Sequence, residues 1–289
     1  MTASDPEQSH FVLEPFDKTA IGPVSCLGLR GSIEMAIDWK TQTAFCCFLL
    51  YTSNALAGDV VPSFDCSRAE APDEQQICRD ARLAELDQAT TLAFKQALKA
   101  GPKKYAAELT ETVQHDIRAE MKKRLGDRHA CGLSPICILD TQVLAISYLN
   151  EVGANVLVPS WVSEYRLNYA NQHPEFIDKN LPKALGHCTR TKITGIAGRF
   201  GETLKWPPSR DETVSGTTVE YANGANQVSY SYKEDVARSH NGDDVLICLS
   251  TIPRHCPPGD DRGREYSTTV IETNRSWIMP DSQHMCGGM

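Results

Sequence analysis

The sequence predicts an α+β chain of two domains, a disulfide-stapled helical hairpin or bundle followed by a small all-β barrel or sandwich. Three observations predict it. Between Asp80 and Leu149 apolar residues recur at three- and four-residue steps, the period of an amphipathic helix. Beyond Cys188 β-branched and polar residues alternate, the two-residue period of strands with one buried face. Eight of the eleven cysteines lie after Ala57 in two clusters of four, one cluster for each texture.

The segment 35–57 reads as a signal peptide. Lys40 supplies positive charge near a start at Met35, Ala44 to Tyr51 forms a short apolar core, and Ala55-Leu56-Ala57 is a small-x-small cleavage site before Gly58. The apolar run is far shorter than the roughly 20 residues needed to span a bilayer. No small residue directly precedes Cys46 or Cys47, so the sequence predicts a free rather than an acylated chain. Residues 1–34, with five acids, read as a disordered leader or an upstream extension that is not native to the protein. Cleavage would leave Cys66, Cys78, Cys131, Cys137, Cys188, Cys248, Cys256 and Cys286, an even set suited to an oxidising compartment, so the expected location is periplasmic or secreted. The net charge of −8 argues against nucleic acid and leaves room for a basic protein partner.

Residues 58–150 form the expected helical domain. Asp80 is placed to cap a helix whose apolar stripe is Leu83, Leu86, Thr90, Ala93, Phe94 and Ala97, with Gly101-Pro102 as its stop. Leu109, Val113, Ile117, Met121 and Leu125 then follow at four-residue steps, so two helices should pack antiparallel across a short turn. A third helix runs from Cys137 through Leu139, Val143, Ile146 and Leu149. A core this small needs staples. The first four cysteines allow three pairings, of which the local one, Cys66 with Cys78 and Cys131 with Cys137, is preferred.

Within this region Ser63-Phe64-Asp65-Cys66, Glu74, Ile77-Cys78, Leu83 and Leu86-Asp87 stand in one register, and Leu125, Arg128, Cys131-Gly132 and Cys137 follow. That pattern resembles the N-terminal domain of the lysozyme inhibitor LprI-like family, over residues 60 to about 150. The chain departs from it at Arg124, where such domains often carry Trp, and at Gln142, where Tyr is usual. The resemblance implies an exported bacterial envelope protein that inhibits a c-type lysozyme by protein-protein contact. A protruding cation would enter a cleft lined by the enzyme's two catalytic carboxylates. Lys103 and Lys104 at the helical turn, and Arg262 and Arg264 in a later loop, are the candidates. The alternative is a periplasmic structural or adaptor protein without inhibitory activity.

Residues 151–187 read as one helix, around Trp161 to Leu167, and a connector with Pro174 and Pro182. Residues 188–289 form the expected β domain. Thr189 to Ile196 is a strand, Val219 to Tyr232 a hairpin about Asn223-Gly224, Val245 to Ile252 a strand, and Tyr266 to Met279 a hairpin near Thr273-Asn274. Cys188, Cys248, Cys256 and Cys286 would staple it. No C-x-x-C pair accompanies His187, His255 or His284, and Asp243-Asp244 and Asp260-Asp261 lack the alternating ligand spacing of a calcium loop, so no metal or cofactor is expected. Neither a G-x-S-x-G elbow nor a nucleotide-binding loop occurs, so the chain reads as a non-enzyme.

Overall fold

The computed structural model describes residues 60–104, 110–208 and 214–288. The expected leader and signal peptide lie outside the described residues.

The helical half begins with a short turn, Cys66–Arg68, capped by Asp65, whose carboxylate accepts from the Ser67 amide at 2.9 Å. Helix α1 (Pro72–Arg79) opens on a proline, which loses nothing at a position where the amide has no helical partner. Asp80 then caps α2 (Ala81–Lys104), accepting from the amides of Arg82 at 2.9 Å and Leu83 at 3.2 Å, as the sequence predicts. Leu83, Leu86, Ala93 and Ala97 are fully buried on one face of α2.

Gly101-Pro102 does not stop this helix, which continues to Lys104. Pro102 has no amide to offer the Leu98 carbonyl four residues back. Gln114 supplies the missing donor from the next helix, its Nε2 lying 3.1 Å from that carbonyl. The turn that would close a hairpin, residues 105–109, lies outside the described residues.

Helix α3 (Thr110–Ala130) buries Ile117, flanked by the partly buried Val113 and Met121, whereas Leu125 is 43 % exposed. Strict four-residue spacing explains this, since it advances about 40° per step around a 3.6-residue helix and carries the stripe off the core. Helix α4 (Pro135–Glu151) is buried almost all round, from Pro135 to Val143 without a break. Such a helix belongs inside a core rather than on its surface. Ile138, Leu139, Ile146 and Leu149 join the core with α2 and α3, while Ile136 packs against Leu246 and Cys248 of the sheet.

Helix α5 (Trp161–Gln172) is followed by β1 (Cys188–Ala197), β2 (Thr217–Tyr221), β3 (Asn226–Ser229), the single-turn α6 (Glu234–Ala237), β4 (Asp244–Thr251), β5 (Glu265–Val270) and β6 (Ser276–Pro280). The strands form one antiparallel sheet in the order β3-β2-β1-β4-β5-β6, curled into a half-barrel. Both expected hairpins are present, with Gly224 and Asn274 in the left-handed backbone region that tight turns require. The inner face buries Ile193, Val219, Tyr221, Val245, Ile247, Tyr266 and Met279.

Gln227 spans the curl. Its Nε2 donates to the carbonyls of Tyr266 at 2.6 Å and Met279 at 3.1 Å, and its Oε1 accepts from Thr268 at 2.7 Å, Trp277 at 3.0 Å and the Tyr221 hydroxyl. One side chain on β3 thereby satisfies backbone groups of β5 and β6 inside the core.

Leu56–Met289 forms one compact unit, so the change of texture near residue 187 is not a break in the packing. The reason lies in α4. Asp140, fully buried, accepts from Arg166 Nε of α5 at 2.6 Å and from Ser250 Oγ of β4 at 2.7 Å. Arg166 also reaches Ser276 Oγ of β6 at 3.3 Å. Removing one partner of such a buried pair costs about 3–5 kcal/mol, because the other charge is left uncompensated. The four disulfides are Cys66–Cys78, Cys131–Cys137, Cys188–Cys248 and Cys256–Cys286, so the preferred local pairing holds in the helical half.

Candidate functional site

The cationic residues expected to bind a partner fall in two places. Lys103 and Lys104 are the last residues of α2, and their side chains lie outside the described residues. Arg262 is matched by its own loop: Nε and Nη2 donate to the two carboxylate oxygens of Asp260, each at 2.8 Å. That fork, with the Gly287 amide, holds the Asp260 carboxyl well below the usual range. Arg264 pairs with Asp261 at 2.9 Å. The second loop therefore presents two neutralised pairs rather than two free cations.

Ser63, Asp87 and Arg128 meet in one network of the helical half, with Asp73 and His129. Ser63 donates from its amide at 2.8 Å and from its hydroxyl at 2.5 Å to Asp87 Oδ2. Arg128 bridges Asp73 at 2.7 Å and Asp87 at 3.2 Å, and His129 Nδ1 lies 2.7 Å from Asp73. With Asp73 fully buried and Asp87 nearly so, this network fixes the amino-terminal segment, α2 and α3 against one another. Arg124 bonds Glu120 at 2.9 Å and Glu265 of β5 at 3.3 Å, which ties α3 to the sheet.

A groove of about 840 Å³ runs where α4 and α5 meet β6 and α6. Tyr148, Val158 and Ile278 give it apolar wall, while Lys233, Asp235 and Arg275 give it charge. Burial, and then the neighbouring Glu234, push the Asp235 carboxyl above its ordinary range. A second cavity of about 750 Å³ lies between α3 and the segment after β4, with Lys122, Lys123, Arg254 and His255 in its lining. The Arg124–Glu265 pair lines both cavities. Arg254 reaches Asp127 at 2.6 Å across Gly126, where a Cβ would stand 2.8 Å from the guanidinium.

Every cysteine from Cys66 onward is in a disulfide, so these sulfurs supply no thiolate nucleophile or zinc ligand. Among the described residues no group of three His, Cys, Asp or Glu side chains is placed to hold a metal. Asp244, at the start of β4, pairs with its cross-strand partner Lys192 at 2.8 Å, and Asp243 in the preceding turn accepts from the His240 amide at 3.0 Å.

Sequence reasoning missed two features. The groove is built from elements distant in the chain, and no local pattern announces it. The other is an aromatic clamp about Arg199, for which Gly198-Arg199-Phe200-Gly201, a cation and a ring between two glycines, was an available signal.

Fold and staples define the class: a disulfide-linked α+β protein on a curled antiparallel sheet, with no described helix long and apolar enough to cross a membrane. Four disulfides fit an extracellular or periplasmic setting. No family model, curated protein or solved structure matches this chain.

Proposed function

We propose that this is an exported bacterial envelope protein of the lysozyme inhibitor LprI-like type, acting through its helical half by contact with a c-type lysozyme. What supports the reading is the joint use of the motif residues. Ser63, Asp87 and Arg128 of that pattern join the buried Asp73 in one hydrogen-bonded network, in the half that carries two local disulfides, giving a rigid platform of the kind a binding protein needs. Since Arg262 and Arg264 are neutralised within their loop, the contact is assigned to Lys103 and Lys104.

A cell-wall lysis assay tests it. Oxidised protein from Gly58 onward should suppress lysis by c-type lysozyme, and Lys103→Glu with Lys104→Glu should abolish suppression while Arg262→Ala with Arg264→Ala leaves it intact. Full lytic activity at excess protein sinks the proposal.

The groove between α4 and β6 favours a second reading, a periplasmic adaptor that holds an envelope protein and inhibits nothing. It predicts a stable partner that is lost on Val158→Arg, with lysozyme untouched.

A further inference from the structure

The sheet half carries a cluster that neither reading uses. The connection after β1 turns at Gly198 and Gly201 and presents Arg199 and Phe200, while Tyr230 directly follows β3. The Arg199 guanidinium lies between two rings, its Cζ 4.4 Å from the Phe200 centroid and 4.2 Å from that of Tyr230. The ring quadrupoles hold a cation there. Each side of the clamp is anchored. The Tyr230 hydroxyl donates to the Gln283 carbonyl at 2.8 Å, and the Glu202 carboxylate accepts from the amides of Phe200 at 2.9 Å and Ser215 at 3.2 Å.

Rings attract the charge but accept no conventional hydrogen bond. Arg199 Nε is buried without an acceptor, and no carboxylate among the described residues is shown paired with this guanidinium. Arg124, Arg128, Arg166 and Arg254 by contrast each hold one. The buried Nε is out of a partner's reach, so a carboxylate would meet the guanidinium at its Nη edge, a planar fork of paired donors suited to it. Around it Phe200 is 70 % and Tyr230 58 % exposed, an apolar surface beside the fork.

We propose that Arg199, Phe200 and Tyr230 form a docking site for an acidic side chain of a protein partner, with an apolar neighbour of that residue covering the rings. A polyanion is disfavoured. Glu202 sits at the same turn, its carboxyl held down to about 2 chiefly by the Ser215 hydrogen bond, and the whole chain carries −8. One carboxylate meets the fork, whereas a run of them meets Glu202 as well. The site is separate from the α2 end assigned to lysozyme, so either assignment can fail without the other.

The test is a nitrogen-15 titration of the oxidised chain, following the Arg199 Nε–H resonance, with acetyl-Gly-Glu-Phe-Gly-amide as probe and its Gln-for-Glu twin as control. The acidic peptide should shift that resonance saturably, with a dissociation constant on the order of millimolar. The twin should bind about tenfold more weakly or worse. Arg199→Lys, which keeps the charge but loses the fork, and Tyr230→Leu, which removes one ring, should each weaken binding by about tenfold. Absence of a shift, equal binding of the twin, or unchanged binding by Arg199→Lys would overturn the proposal. So would a neutral glycan hexamer moving the same resonance in place of the peptide.

Discussion

Gln142 and Gln227 are both buried glutamines, 2 % and 1 % exposed, and they have opposite fates. Gln227 has five polar partners at the curl of the sheet. Gln142, on α4, has a partner for neither its Oε1 nor its Nε2. A buried polar group left unpaired costs about 1–3 kcal/mol, whereas an apolar side chain of similar length would contribute by burial instead. Gln142→Leu should therefore raise unfolding stability by about 1–3 kcal/mol, read as a higher urea midpoint at unchanged slope. A lower midpoint would mean that the amide has partners in solution. Gln227→Leu should act in the opposite direction, leaving the carbonyl of Met279 and the indole of Trp277 without their contacts. Nothing in the sequence separates these two glutamines, because four of the five partners of Gln227 stand 39 to 52 residues away.

At the scale of elements, what sequence reads well is set by neighbours in the chain. Asp80 caps α2 through residues two and three positions on, and Asn223-Gly224 turns a hairpin by its own backbone freedom, so both are legible. Pro102 shows the limit. Its local chemistry predicts a stop, and that prediction fails because Gln114 of another helix donates to the carbonyl the proline strands. Gln114→Ala should then cost about 1 kcal/mol and free the end of α2. Amide exchange near residues 99 to 104 should quicken in that variant more than exchange in α4; equal protection in both proteins would show that the contact does not hold the helix end. The four-residue stripe of α3 belongs to the same lesson, since only the position of α4 decides which part of the drifting stripe is covered.

At the scale of the whole molecule, the sheet and helices are joined by charges and hydroxyls that composition treats as surface residues: Asp140, Arg166, Ser250 and Ser276. This is why a two-domain reading was natural and why the packing departs from it. The candidate site was legible only where the disulfides and motif residues were local; the groove and the Arg199 clamp need the tertiary fold. The same burial makes the molecule sensitive to alkali. Burial pushes the Tyr266 phenol up to about 12, and it raises Tyr221 and, together with a hydrogen bond to Asp80, Tyr165. The unfolded chain ionises these phenols near 10. A folded value above the unfolded one means that the stabilisation is complete below pH 10 and is lost as pH rises through about 12. Thermal midpoints taken on fresh samples should thus fall steadily from pH 10 upward, with phenolate absorbance from these residues appearing at unfolding rather than before it. Tyr266→Phe should flatten the fall, since that side chain no longer ionises in either state. A midpoint indifferent to pH across this range, or a phenolate signal that precedes unfolding, would show that the three rings are open to water and that the curled sheet is looser than its hydrogen bonds imply.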